Sequence, residues 1–391
     1  MSQQVAYVLV TPYTIRKSRT GAVLSRLLGR VSAELVMARM FAPDRAFVEK
    51  YAAQVPPGLS PEDEKYRGLI RDYMMRNLAP DADGRRHRML MLVFKGENAI
   101  AEISRIVGNL RSSDSTGETI RDTFGDVVWN ADGSIRYFEP CVLTVNDSAH
   151  AAADLRLWSE YAKTQSPLLT DTCSYEHPDQ VQQTLTIIKP DSWRQQSSRP
   201  GAIIDMFSRT GLRIIGCKPC RLSVAQGMEF YGPVKDVLCR KLAPGVGVKA
   251  RDILQEKLGF KLPAGVEAEL AEKVGVPYAV DQFEKIVEFM TGCRPSAIPE
   301  ADWKKPGLAS CMVLVYEGED AVKKIRDVLG PTDPSKAPGG TIRRDFGSDV
   351  MVNTAHASDS PESFTRESGI LRLAENTFST ELEAALKSCG L

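Results

Sequence analysis

A long internal repeat is the feature of this sequence that most constrains its fold. The segment 93–100 (VFKGENAI) returns as 315–322 (VYEGEDAV), and 118–125 (ETIRDTFG) returns at the same spacing as 340–347 (GTIRRDFG). Similar segments in the same order indicate that one unit was duplicated. We therefore predict two related domains whose sequences have diverged.

The repeat divides the 391 residues into two domains and a linker. A chain of this length is expected to form two or three domains. Residues 164–182 are rich in polar and turn-forming residues and have no helical or strand periodicity, which is typical of a linker. We predict a first domain at 1–163 and a second at 183–391, with an insertion at about 237–281 that only the second domain carries.

Hydrophobic patterning in the second copy predicts strands that alternate with helices. Short apolar runs predict strands at 184–188, 212–222 and 309–316, and 349–352 can supply a fourth. One-sided apolar patterns between them predict amphipathic helices. This order of elements is typical of an open sheet covered by helices.

The composition excludes several kinds of partner. Fifty Lys and Arg balance fifty Asp and Glu, so no excess positive charge is available to bind nucleic acid or anionic lipid. No apolar run approaches the roughly 20 residues that span a bilayer. Eight cysteines without a framework spacing predict reduced thiols. We expect a cytoplasmic protein with neither a nucleic-acid nor a membrane partner.

The segment 353–363 (NTAHASDSPES) contains the best candidate for a reactive side chain. Ser360 is a favourable helix N-cap and Pro361 a favourable first helical residue, so His356 is predicted on an exposed loop before a helix. Neutral imidazole is abundant at pH 7 and is a good nucleophile. Glu367 falls two turns into that helix, where its carboxylate can orient the ring.

Three cations are predicted near this histidine. Lys189 follows the first strand of the second copy, Arg326 lies in the last turn of a helix, and Arg343 follows a Gly-Gly pair. Cations around a nucleophile suit a phosphoryl group, because they stabilise the negative charge of the transferring group. The spacing leaves one alternative open, a surface histidine on a polar helix cap.

Three motifs of the second copy resemble the nucleoside diphosphate kinase family. Residues 189–191 (KPD), 340–346 (GTIRRDF) and 353–360 (NTAHASDS) match the family's K-P-D, G-T-I-R-x-D-F and N-x-x-H-G-S-D-S in the same order. The resemblance covers most of 184–371. It implies an α+β fold of two tandem ferredoxin-like (βαββαβ) domains, each an antiparallel sheet covered by helices. It also implies transfer of the γ-phosphate of ATP, or of another nucleoside triphosphate, to nucleoside diphosphates.

The resemblance assigns a role to each residue of the site. It implies that His356 is phosphorylated, that Tyr231 and Glu367 position it, and that Ser358 packs beside it. A larger set is implied to bind the nucleotide and its phosphates, with Lys189 also catalytic: Lys189, Arg326, Thr332, Arg343, Asn353, Val350 and Phe283. It further implies Mg²⁺ held by nucleotide phosphates and water, with no direct protein ligand.

Departures from the family pattern leave two questions open. The aromatic residue that stacks on the base falls at Gln282, so either Phe283 or Tyr278 takes this role or the insertion builds a different lid. Ala357 replaces the glycine after the histidine. Family members are homo-oligomers of single domains, and a fused pair could mimic a family dimer, so we expect either a homo-oligomer or an intramolecular pseudo-dimer.

The first copy lacks most of the reactive residues. Aligned through the shared motifs, Thr11 takes the place of Lys189 and Thr144 the place of His356, whereas Arg121 is retained. We predict a degenerate copy without catalytic activity. An alternative function for the whole chain is a nucleotide-binding assembly or sensing module with little turnover.

Two further segments carry weaker signals. The basic cluster 85–88 (RRHR) is interpreted as a solvated entry to a strand rather than a nucleic-acid site. The Asp-Gly pair within 130–137 predicts a hairpin turn that is special to the first copy.

Overall fold

The computed structural model describes residues 3–110, 117–132 and 134–391. They form two compact units, of which unit 1 comprises Met1–Pro219 and Met312–Leu391 and unit 2 comprises Cys220–Cys311. Among these described residues, no helix has both the length and the apolar character that a membrane span requires.

The N-terminal part of unit 1 builds a four-stranded sheet and a separate hairpin. Its elements are β1 (Gln3–Val10), α1 (Pro12–Arg16), α2 (Thr20–Leu28), β2 (Glu34–Phe41), α3 (Arg45–Ala53), α4 (Pro61–Asn77), β3 (Met89–Glu97), α5 (Ala99–Val107), α6 (Ile120–Phe124), β4 (Asp126–Trp129), β5 (Ile135–Glu139), β6 (Val142–Leu143) and α7 (Ser148–Lys163). The sheet has the order β2-β3-β1-β6. The hairpin pairs β4 with β5, and Gly133 of the predicted Asp-Gly turn lies outside the described residues.

The C-terminal part of the chain builds a second four-stranded sheet. In unit 1 it contributes β7 (Val181–Ile188), α8 (Arg199–Ser208) and β8 (Arg213–Cys220), while unit 2 contributes α9 (Val224–Phe230), α10 (Gly232–Leu258), α11 (Val266–Leu270) and α12 (Val276–Thr291). The chain then continues through β9 (Cys311–Glu319), α13 (Ala321–Leu329), α14 (Ile342–Phe346), β10 (Ala355–Ala357), α15 (Pro361–Ile370) and α16 (Phe378–Ser388). The order of this sheet is β10-β7-β9-β8.

The two sheets use the same pairing around their central strands. β1 pairs antiparallel with β3 and β6, and β7 pairs antiparallel with β9 and β10. Both central strands are buried over most of their length, which agrees with their continuous apolar sequences. The result is a mixed fold of helices and antiparallel sheets.

A reciprocal contact joins α2 to α8 within unit 1. A Cβ atom on Gly21 would lie 2.3 Å from the backbone nitrogen of Asp205, and one on Gly201 would lie 2.1 Å from that of Ser25. Only glycine allows the two helix backbones to approach this closely. Each helix thus places its own glycine against the backbone of the other helix, as in an isologous dimer interface.

One predicted strand is wrong. The segment 349–352 forms a turn in which the Asp349 carboxylate accepts hydrogen bonds from the backbone amides of Met351 and Val352. Such a local side-chain bond competes with strand pairing for the same amides. The edge strand forms instead at β10, while the other three predicted strands of the second copy are confirmed as β7, β8 and β9.

Unit 2 is helical and includes the predicted insertion. The capping box predicted from Ser223 and Gln226 is present at the start of α9. The next helix, α10, is 27 residues long, and Gly247 on it faces the backbone of Glu267 and Ala271. The domain limits at 163 and 183 remain predictions.

Candidate active site around His356

His356 is the middle residue of β10 and faces Ile187 across the sheet edge. The predicted loop position is therefore wrong: the edge of β7 continues to pair as far as Ser358, whose amide donates to the carbonyl of Leu185 at 3.0 Å. The imidazole is 22% exposed. It is thus held on a strand and remains accessible to a ligand.

The Glu367 carboxylate fixes the imidazole. Its Oε2 lies 2.9 Å from Nε2 of His356 and accepts the hydroxyl of Ser358 at 2.7 Å. Glu367 is only 3% exposed, and Arg366 donates to its Oε1 at 3.3 Å. An ionised carboxylate can only accept, so Nε2 carries the ring proton and Nδ1 carries the lone pair.

The start of α15 explains why Glu367 reaches the histidine. Ser360 is the N-cap and accepts from the amide of Ser363, and Pro361 is the first helical residue, as the sequence predicted. The hydroxyl of Ser363 also donates to Asp359 at 2.5 Å. This hydrogen bond, together with the positive charge of Arg326, lowers the pKa of the Asp359 carboxyl.

Lys189 is a buried cation at the end of β7. Its ammonium donates to Oδ1 of Asn353 at 2.6 Å, and the two residues are 8% and 2% exposed. The amide of Asn353 in turn donates to the carbonyls of Thr332 at 3.1 Å and Val350 at 2.8 Å. The backbones of Thr332 and Val350 therefore orient Asn353, while the Val350 side chain is exposed.

Arg343 links the segments that carry the other predicted site residues. Its guanidinium donates to the carbonyl of Gly330 at 3.0 Å, directly after α13, and to that of Ala355 at 3.1 Å, next to His356. Arg326 lies in the last turn of α13. One arginine thus ties the end of that helix to the strand that bears the histidine.

Arg199 is a site-supporting residue that sequence reasoning missed. Its guanidinium donates to Asp191 at 2.6 Å, to the carbonyl of Phe346 at 2.6 Å and to the hydroxyl of Thr354 at 3.1 Å. Thr354 has a φ of 75°, so this contact braces an unfavourable backbone turn just before His356. The available signal was the acid of the KPD motif, because a buried carboxylate usually has a basic partner.

Two predicted site residues, Tyr231 and Phe283, belong to unit 2. Tyr231 is buried at the junction of α9 and α10, and Phe283 is 1% exposed in α12, with the ammonium of Lys235 5.9 Å from its ring centre. Tyr278, the other aromatic candidate to stack on the base, is 46% exposed. Of the two, only Tyr278 presents its ring to solvent.

The corresponding place in the first sheet is occupied by Leu143. On β6 Leu143 faces Leu9, as His356 faces Ile187. Before each strand the chain turns through a residue of positive φ, Cys141 at 64° and Thr354 at 75°. By strand register Leu143, and not Thr144, therefore takes the place of His356, because the segments before β6 and β10 differ in length.

Comparisons with known proteins match the site and about half the chain. The family model "Nucleoside diphosphate kinase" matches residues 303–376, a range that contains His356. A nucleoside diphosphate kinase of Halorhodospira halophila is 30% identical over 187 residues, which cover 48% of this chain and 89% of that protein. One from Nitrosospira multiformis is 31% identical over 182 residues, covering 46% of this chain and 86% of that protein.

Solved structures of the same name are also similar. A nucleoside diphosphate kinase of Aquifex aeolicus matches with 27% identity and a TM-score of 0.31, covering 49% of this chain and 94% of that one. An NDP kinase from Pyrobaculum aerophilum matches with 28% identity and a TM-score of 0.33, with the same two coverages.

Proposed function

The chain belongs to the nucleoside diphosphate kinase family, and we propose that its nucleoside diphosphate kinase reaction passes through a phosphohistidine at His356. The bond from Nε2 of His356 to Glu367 carries this proposal. It leaves the lone pair on Nδ1, and a neutral imidazole with a fixed tautomer is an effective nucleophile.

In the first half-reaction Nδ1 attacks the γ-phosphorus of ATP or another nucleoside triphosphate. The N–P bond forms as the bond from phosphorus to the β,γ-bridging oxygen breaks, and the nucleoside diphosphate leaves with that oxygen. In the second half-reaction a β-phosphate oxygen of the acceptor diphosphate attacks the same phosphorus, and Nδ1 regains its lone pair. One site therefore serves both nucleotides in turn.

The cations of the site support this chemistry. The ammonium of Lys189 is buried and is held by Asn353, so it needs no reorganisation to stabilise the charge that develops on the phosphates. We propose that Arg326 and Arg343 add positive charge from the end of α13 and from α14, and that Thr332, Asn353 and Val350 shape the nucleotide pocket.

We propose that Mg²⁺ enters with the nucleotide. Within the described residues no group of three or more His, Cys, Asp or Glu side chains could hold a metal ion, and the groups around His356 are mostly cations and amides. This donor set suits phosphates, so Mg²⁺ would be held by phosphate oxygens and water. When bound, it would neutralise part of the phosphate charge.

We also propose that Tyr278 or Phe283 supplies the aromatic ring that stacks on the base. Base stacking needs an accessible ring, and the exposure of Tyr278 favours it over the buried Phe283. Tyr231 stays proposed as a residue that positions His356. Each of these roles would be tested by its own alanine variant and the Michaelis constants for nucleotides.

The N-terminal part is proposed to be a degenerate copy, and the chain two tandem ferredoxin-like domains. Support comes from the shared strand pairing around β1 and β7 and from the reciprocal contact of α2 with α8. The latter contact favours an intramolecular pseudo-dimer, which leaves further homo-oligomerisation as a prediction.

All eight cysteines are free thiols, which supports our proposal of a cytoplasmic location.

A phosphoenzyme experiment tests the function. We expect γ-labelled ATP to give an acid-labile, alkali-stable label that a nucleoside diphosphate removes, and we expect His356→Ala to lose both label and turnover. His150→Ala is the matched control, since this histidine lies in the first copy. Label on the His356→Ala chain would sink the proposal, and a wild-type chain that binds nucleotide but barely turns over would favour the sensing alternative.

A further inference from the structure

One cavity of unit 1 has a strongly cationic lining. Its volume is about 420 Å³, and five arginines and a histidine line it: Arg16, Arg85, Arg86, His87, Arg88 and Arg213. Asp81 is the only acidic residue among the described lining residues. Its carboxylate accepts from the backbone amides of Asp83 and Arg85. The cavity therefore carries a large local excess of positive charge.

The cavity forms within unit 1, where the N-terminal part of the chain meets the segment that carries β8. Arg88, just before β3, donates to the carbonyl of Ile214 on β8 at 3.1 Å. Arg85 donates to Ser174 of the connecting segment at 3.4 Å, and Arg213 lies over the ring of Tyr175 at 5.0 Å. The interpretation of 85–88 as a solvated strand entry is therefore wrong for Arg88, and junctions of this kind are frequent ligand sites.

Arg88 and Arg213 line the same cavity, where their positive charges oppose each other. Burial, and then the positive charge of Arg213, lowers the pKa of Arg88. The charge of Glu317 acts in the opposite direction, but its carboxylate already accepts from Tyr175 and Gln183 at 2.9 Å each. An anion placed between the arginines would relieve the repulsion.

A buried hydroxyl points to the same conclusion. Tyr316 lines the cavity and is 1% exposed, yet its hydroxyl has no hydrogen-bond partner in the described structure. Buried polar groups are rarely left in this state, and each exception calls for an explanation. An oxygen atom of a bound ligand would supply the missing acceptor.

We propose that this cavity binds a small polyphosphate anion, either inorganic or the phosphate chain of a nucleotide. The fork of the guanidinium group matches phosphate oxygens in pairs. The site is separate from that of His356, because β8 and β10 are opposite edges of one sheet. At about 4.8 Å between neighbouring strands, these two strands lie about 14 Å apart.

The test measures binding of inorganic triphosphate to the full chain by isothermal titration calorimetry at low salt. The triple variant Arg16→Gln, Arg85→Gln, Arg213→Gln removes three cations of the cavity, and Arg105→Gln, an exposed arginine on α5, is the control. We expect two sites in the wild type and the control, but only the His356 site in the triple variant. A remaining weak second site should have lost about tenfold in affinity for each arginine removed.

Further arms separate the possible outcomes. Kinase activity of the triple variant should equal that of the wild type, which shows that it is folded and distinguishes this proposal from the kinase assignment. Loss of the second site for ATP as well as for triphosphate would identify the phosphate chain as the recognised group, and a second site that takes only ATP would identify a nucleotide. Unchanged stoichiometry and affinity in the triple variant, or tighter binding of a short oligonucleotide than of triphosphate at this cavity, would overturn the proposal.

Discussion

His356 on β10 and Leu143 on β6 hold equivalent positions in the two sheets. Comparing their surroundings distinguishes residues proposed to serve the reaction from residues that hold the backbone. Arg121 donates to the carbonyls of Gly108 and Val142, just as Arg343 donates to those of Gly330 and Ala355. Arg121 makes the same backbone hydrogen bonds as Arg343, although a leucine stands next to it in place of the histidine. These bonds therefore hold the backbone. Arg343 therefore has a structural role in addition to its proposed contact with phosphate.

The cation and the nucleophile differ between the two places. Thr11 stands at the end of β1 and donates its hydroxyl to the carbonyl of Cys141 at 3.0 Å, whereas Lys189 stands at the end of β7 with its ammonium on Asn353. The first place still has a cavity of about 460 Å³, which Arg121 lines. Arg67 also lines this cavity, but Asp63 and Asp154 line it as well, so it contains acidic as well as basic side chains.

The helix after each of these two strands carries an acidic residue, but the surroundings of the two residues differ. Asp154 lies two turns into α7, as Glu367 lies two turns into α15. It accepts the hydroxyl of Tyr7 at 2.6 Å and lies 3.5 Å from the ring of His150. Burial raises its pKa to about 6. The burial of this carboxyl is therefore costly whenever it is ionised.

The largest expected effect follows from replacing Lys189 by threonine, the residue that stands at the end of β1. Lys189→Thr removes the buried ammonium, and we expect kcat/KM to fall by about 10²- to 10³-fold, the usual cost of one preorganised charge-stabilising donor. A coupled assay with nucleoside diphosphate as acceptor measures this loss. Lys323→Thr, on the exposed face of α13, should stay near wild type; equal activities of the two variants would contradict the contrast between the halves.

The next effect concerns stability and pH. Because its pKa is raised in the folded state, Asp154 binds more protons in the folded protein than in the unfolded chain. Its contribution therefore lowers the free energy of unfolding as the pH rises from about 4 to about 6, and the loss persists above pH 6. Asp154→Asn should remove this loss and gain about 2 to 3 kcal/mol at pH 7 relative to pH 4. Urea unfolding of both proteins at the two pH values measures the difference, with exposed Asp83→Asn as control. Parallel pH dependences for wild type and Asp154→Asn would refute it.

The smallest effect is on the orientation of the histidine. Glu367→Gln keeps an acceptor for Nε2 of His356 but removes its charge, and charge-assisted bonds are about twice as strong as neutral ones. We expect kcat to fall about tenfold, with little change in KM, since nucleotide contacts are unaffected. Steady-state kinetics across pH would reveal the change, and Asp154→Asn should leave kcat as it is. A rise in KM at constant kcat would instead assign Glu367 to nucleotide binding.

Much of the candidate site around His356 could be predicted from short segments of sequence. Ser360, Pro361 and Glu367 lie on one helix start, where spacing alone fixes which side chains return to the strand. The pairing of Asn353 with Lys189, by contrast, joins residues far apart in the chain. Only the family resemblance placed them in one site, and their hydrogen bond became visible in the structure.

The alignment of the first copy shows where such inference fails. Thr144 follows the strand residue Leu143, and the one-residue error came from a loop whose length differs between the copies. Strand register decides which side chain faces a pocket, because a shift of one residue turns it to the other face of the sheet. The register of β6 on β1 is set by backbone pairing, which the motifs do not contain.

The sequence by itself showed the internal repeat, the family motifs and the helix cap after His356, since these rest on short segments and on contacts between near neighbours. Only the tertiary structure decided that His356 lies within a strand, that Leu143 is its counterpart, and that Arg88 and Arg213 share a cavity. The physical reason is range: capping and turn bonds form within a few residues, whereas strand register and the meeting of two sheets depend on the packing of the whole unit.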